Sequence, residues 1–267
     1  MQSLPALLAV SVCSGLYTSA WGAYKDGPYE SFKPLTFPRS ILFSVLILFT
    51  ILYTPLGVGE AFLELPLFHV FLAIMGVERM VTEIYKACFR QGDQSIFLIP
   101  QQMTFFGRAV NSLILRILVG IILMAGVYYI VFWSQTVTHI TGFSITGFLT
   151  GLFICGGGAY KDAPFEGFSP TKFLRSAIVL ALVSPLVYWL GPCRLGFLIF
   201  TFGGLERLLV EYYKSYIVKS VPGKFRPDLP RIEGPFLTHR GKLQLVATAL
   251  VGLLLFLYAQ ALHKAVG

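Results

Sequence analysis

Charge is scarce in this sequence. Of its 267 residues only 13% are Asp, Glu, Lys or Arg, against about 25% in water-soluble domains. Hydrophobic residues make up 55%, 24 of them Phe, and the mean hydropathy is +0.72. The length alone would suit one or two soluble domains, but the composition excludes them. Cysteine is equally sparse. Cys13, Cys88, Cys155 and Cys193 form no CxxC pair, so they read as buried structural thiols and not as a disulfide framework or metal cluster. His69, His139, His239 and His263 share no spacing, which argues against a histidine-held metal. No GxxxxGK[ST] or GxSxG stretch is present, so neither a phosphate loop nor a nucleophile elbow is expected. Gly156, Gly157 and Gly158 are instead expected to let helices pack closely.

The remainder of the chain is mostly hydrocarbon in blocks about as long as a bilayer crossing. Eight apolar segments stand out, near 4–23, 41–58, 62–82, 110–133, 140–158, 177–191, 194–213 and 244–263. The sixth and seventh are joined only by Gly191-Pro192-Cys193. Helices are the default in lipid because the backbone must satisfy its own hydrogen bonds. The expected fold class is therefore an all-α polytopic membrane protein with eight transmembrane helices. Met1-Gln2-Ser3-Leu4 has no basic stretch and is read as the start of the first helix, not as a cleaved signal.

Of the 21 basic residues, 18 fall in the segments after the first, third, fifth and seventh helices. The positive-inside rule puts those segments in the cytoplasm and both termini on the non-cytoplasmic side of a cell membrane. The formal net charge of +8 follows from that placement and from anionic headgroups, with no nucleic-acid partner needed.

One pattern occurs twice. Gly22-Ala23-Tyr24-Lys25-Asp26-Gly27-Pro28-Tyr29-Glu30 returns 136 positions later as Gly158-Ala159-Tyr160-Lys161-Asp162-Ala163-Pro164-Phe165-Glu166. The match continues through Arg39/Arg175 and Ser40/Ser176. A second block, Gly76, Glu78, Arg79, Glu83, Tyr85 and Lys86, returns 128 positions later as Gly204, Glu206, Arg207, Glu211, Tyr213 and Lys214. This order indicates tandem duplication: residues 1–135 and 136–267 as two parallel four-helix repeats about a pseudo-two-fold axis along the membrane normal.

Charged residues are prominent among those kept in both copies. Pro28 and Pro34 are expected to break the helix over Asp26–Pro34. Arg39 and Arg175 should lie at helix starts, where the dipole disfavours a cation, and should need Asp26, Glu30 and their counterparts, or an anionic ligand. Arg79, Glu83 and Lys86 fall within about 60° of one another on a helix, with Arg79 and Glu83 as an i,i+4 pair. Together Lys25, Asp26, Glu30, Arg39, Glu78, Arg79, Glu83, Lys161, Asp162, Glu166, Arg175, Glu206, Arg207 and Glu211 form an expected substrate-binding layer at the cytoplasmic face. Ionisable groups at a bilayer commonly mark ligand or ion pathways. The expected partners are the lipid bilayer and a small anionic or zwitterionic ligand; no metal or cofactor is indicated. Transport or permeation is the leading reading, and an enzyme acting on a lipid phosphate or prenyl substrate at the cytoplasmic face is the alternative. A purely structural ion-pair lock would use the same charges.

Overall fold

The structure, a computed structural model, describes residues 1–54, 57–219, 222–232 and 235–266. The main elements are helical: α1 (Leu4–Glu30), α2 (Arg39–Tyr53), the short α3 (Gly59–Glu64), α4 (Leu67–Ile84), α5 (Leu113–Val131), α6 (Ile140–Glu166), α7 (Pro170–Tyr188), α8 (Leu195–Glu206) and α9 (Pro235–Val266). Five of them, α1, α5, α6, α7 and α9, are long and apolar enough to cross a membrane. Their surfaces support the same conclusion. The most apolar windows of α5 and α9 are each only 22% buried, and Leu46, Ile122, Phe153, Leu182 and Phe256 point outward. Water would oppose such contiguous apolar surface and lipid accepts it. The protein is an all-α membrane protein.

The remaining apolar stretches are shorter or carry charge. α2 has 15 residues and α8 has 12, and α4 includes Glu78, Arg79 and Glu83. The expected second segment ran to residue 58, but α2 ends at Tyr53, and residues 55–56 lie outside those described.

At the centre α4 runs along α8, with α1 beside α4 and α6 beside α8. The two central helices touch backbone to backbone. A side chain on Gly76 would collide with the Phe200 carbonyl, and one on Gly204 with the Leu72 carbonyl. Each glycine thus meets the residue that matches its partner's neighbour at the 128-residue offset. α9 lies along α1 and α4, while α5 packs on the end of α4. On the opposite flank, Gly156, Gly157 and Gly158 have open space where a side chain would project. They mediate no close packing, contrary to the sequence-based expectation, because no helix covers that face of α6.

The helical break expected over Asp26–Pro34 is present, but it falls after the first proline of the motif and not at it. α1 continues through Pro28 to Glu30 and α6 through Pro164 to Glu166. A proline inside a helix leaves the carbonyl four residues earlier without its donor. For Pro28 that carbonyl is Tyr24, and the Arg240 guanidinium donates to it at 2.7 Å. The break comes one step later, at Ser31 with φ +62°.

Candidate functional site

α4 and α8 both loosen where the charges begin. The chain from Tyr85 to Phe89, and from Arg207 to Glu211 and Tyr213 to Ile217, is wound as π-helix. Short π segments are frequent at functional sites because they re-aim side chains. Tyr85–Phe89 and Tyr213–Ile217 are matched positions at the 128-residue offset.

At and just before these turns the two helices exchange ion pairs. Arg207 donates to Glu78 at 2.9 Å, and Arg79 pairs with Glu206. Each arginine crosses to the carboxylate of the other helix, so Arg79 does not take the expected i,i+4 partner. Glu83 pairs instead with Lys86 at 2.9 Å. The quartet is well enclosed: Glu78 is fully buried, and the Arg207 side chain is 5% exposed against 22% for Arg79. Ser176 donates to the second oxygen of Glu206 at 2.7 Å, whereas Oε1 of Glu78 is buried with no hydrogen-bond partner.

A second crossed contact lies one turn further on. Lys25 on α1 reaches Glu211 at 3.5 Å, and the matched groups Lys161 and Glu83 lie within electrostatic reach. Trp21 seals the first of these corners. Its ring stands 4.8 Å from Arg207 and 4.5 Å from Lys25, and its indole N–H donates to Ser215 at 3.0 Å. The residue matching Trp21 on α6 is Gly157.

Asp26 and Glu30 do not meet Arg39. Both hold the Lys224 ammonium, at 2.8 and 3.2 Å. Burial alone would push the Lys224 pKa down, but the two carboxylates more than reverse this and hold it above the usual lysine value. Arg39 lies over the Tyr85 ring at 5.9 Å. Nε of Arg39 and of Arg175 is buried without a hydrogen-bond partner. Among the described residues no carboxylate lies within ion-pair distance of Arg39, Arg175 or Lys161. On the second copy Glu166 pairs with the exposed Lys172 at 3.6 Å, and its carboxylate occupies the space where a side chain on Gly223 would project.

Several contributors escaped the sequence reading. Lys224 belongs to a strap, residues 222–232, which meets the loop after α4. Phe97 and Phe225 bridge and stack at 5.5 Å. Leu98 donates to the Lys224 carbonyl at 2.9 Å, and Arg226 to the Ile96 carbonyl at 3.2 Å. Phe97 and Phe225 are 128 residues apart, so extending the second block's offset would have paired them. Arg116, near the start of α5, donates to the Arg90 and Ala87 carbonyls at 2.7 and 3.3 Å. It caps the end of the π turn that follows α4.

Two cavities lie at the opposite end of the bundle, one beside Gln2, Glu64 and Lys264 and the other beside Gln135, His139 and Leu195. Among the described residues no group of three or more His, Cys, Asp or Glu could hold a metal ion, and the four cysteines are free. Comparisons with family models, curated proteins and solved structures return no match to this chain.

Proposed function

We propose that this chain is an integral membrane transport or permeation protein for a small anionic or zwitterionic solute, seen with one gate closed. In this reading, eight membrane-crossing segments form two parallel four-helix repeats, 1–135 and 136–267, about a pseudo-two-fold axis. The charged end faces the cytoplasm and both termini face the other side. The observation that carries the reading is the crossed exchange of Glu78–Arg207 and Arg79–Glu206 between α4 and α8. Buried ion pairs are poor stabilisers, because desolvation offsets their attraction, but they suit a two-state contact. When one half rocks against the other, both pairs break together, as in gated domain motions. The stacked Phe97 and Phe225 close the same end. Arg39, Arg175 and Lys161, which have no paired carboxylate among the described residues, favour an anionic group on the solute.

The test is uptake into liposomes containing the purified protein, using radiolabelled phosphate esters and amino-acid zwitterions. A Glu78→Gln/Glu206→Gln variant should change the flux of one of these classes at least about tenfold, the effect of about 1.4 kcal/mol on the gate equilibrium. No flux above empty vesicles for any of them removes the transport reading. The alternative, an enzyme acting on a lipid phosphate or prenyl substrate, is favoured by one observation: the two copies are unequally covered, and an enzyme would use a single specialised copy. Turnover of a lipid extract, followed by mass spectrometry, tests it.

A further inference from the structure

The contact between Lys224 and the first acidic pair has the form of a bound ligand. Asp26 and Glu30 lie one turn apart on α1, and both approach a single ammonium. Aromatic rings complete the seat, with Phe225 4.7 Å and Phe97 5.7 Å from the same nitrogen, distances at which a cation is attracted to a ring face. The seat is not saturated: Oδ1 of Asp26 is buried and has no hydrogen-bond partner among the described residues. The group that fills it is brought by a non-helical strap fastened by a few main-chain bonds, those of Leu98, Arg226 and Ile232. Closure of the strap does not itself demand an ammonium. At the reciprocal position of the same bridge the residue is Ile96, which delivers no charge to the second half.

We propose that Asp26 and Glu30 form a receptor for a primary ammonium group and that Lys224 is its tethered competitor. The proposal rests on the solute-binding reading above and narrows its ligand to a zwitterion with a primary amine at one end and an anionic group at the other. Lys161, which has no carboxylate within ion-pair distance among the described residues and lies within electrostatic reach of Lys224, is placed to meet the anionic end. An ammonium with three N–H donors satisfies the two carboxylates and the spare Asp26 oxygen, which a quaternary amine cannot do. Entry of the ligand lifts the strap.

Ethanolamine phosphate is the probe and choline phosphate its control, with the full-length protein in phosphatidylcholine nanodiscs. By calorimetry, Lys224→Met should bind ethanolamine phosphate at least about tenfold more tightly than wild type, since a competitor seated nine-tenths of the time lowers apparent affinity by that fraction. The gain should be absent for choline phosphate and should vanish when Asp26→Asn is added. Equal affinity in wild type and Lys224→Met, a gain shared by choline phosphate, or a gain that survives Asp26→Asn overturns the proposal. Hydrogen exchange on the wild-type protein reads the same contact without a variant. Ethanolamine phosphate should speed exchange at residues 222–232, and unchanged exchange overturns the proposal. Acceleration in phosphatidylethanolamine nanodiscs without added ligand assigns the seat to a lipid headgroup, and acceleration only with free ligand assigns it to a soluble solute. These readouts are independent of flux, so a site without transport and transport without this site are told apart.

Discussion

The ends of α1 and α6 carry the same motif in different surroundings. On α1, Trp21 covers Arg207 and Lys25, α9 lies alongside, and Lys224 fills the acidic pair. On α6, Gly157 stands at the Trp21 position with open space in front of it, Tyr160 is 47% exposed where Tyr24 is 6% exposed, and Glu166 pairs with the exposed Lys172. Like sequences therefore reach unlike electrostatic environments because their cover comes from elsewhere in the chain. A matched motif specifies which groups are present; the neighbouring helices decide which of them stay available to a ligand.

The largest effect is expected at the crossed quartet. Arg207→Ala leaves Glu78 as an uncompensated buried charge and should cost about 3–5 kcal/mol; Arg79→Ala should cost less, because its side chain is the more exposed. Thermal melts in detergent compare the two, and equal losses would erase the difference between the corners. Next comes the cover itself. Trp21→Gly should cost about 3–5 kcal/mol, as for other buried large-to-small changes. Gly157→Ala should stay within about 0.5 kcal/mol, since nothing lies near its missing side chain. A smaller contrast is expected at the serines. Ser176→Ala removes a donor from Glu206 and should cost about 1–3 kcal/mol, whereas Ser40→Ala should cost no more than about 0.5 kcal/mol. The smallest effect concerns pH. The Lys224 pKa is raised in the folded protein, so its contribution is fully present below the ordinary value near 10.5 and is lost as pH rises through the raised one. The melting-temperature difference between wild type and Lys224→Met should hold from pH 7 to about 10 and shrink above that.

Much of the membrane character was legible in the chain, because long apolar runs and segregated Lys and Arg are local patterns. The pairing of the charges was not. Arg39 and Asp26 are near in sequence and opposite in charge, yet the strap brings Lys224 to Asp26 from 198 residues away. Pro28 reads as a helix breaker until Arg240 is seen to satisfy the carbonyl it frees. Gly156, Gly157 and Gly158 read as a packing surface, but glycine permits close approach without requiring it, and no helix approaches. For Glu78 and Arg79 the duplication draws attention to the groups, and only the contact of α4 with α8 shows that they cross.

The sequence alone determined that this is a helical membrane protein, that its charge gathers in a few segments, and that two blocks of charged residues occur twice. These follow from hydropathy and spacing, which need no partner. The tertiary structure alone decided which carboxylate meets which cation, which copy is sealed, and that a lysine of the second half occupies the acidic pair of the first. Ion pairing depends on distances of a few ångströms between side chains far apart in sequence, and those distances exist only after the helices have packed.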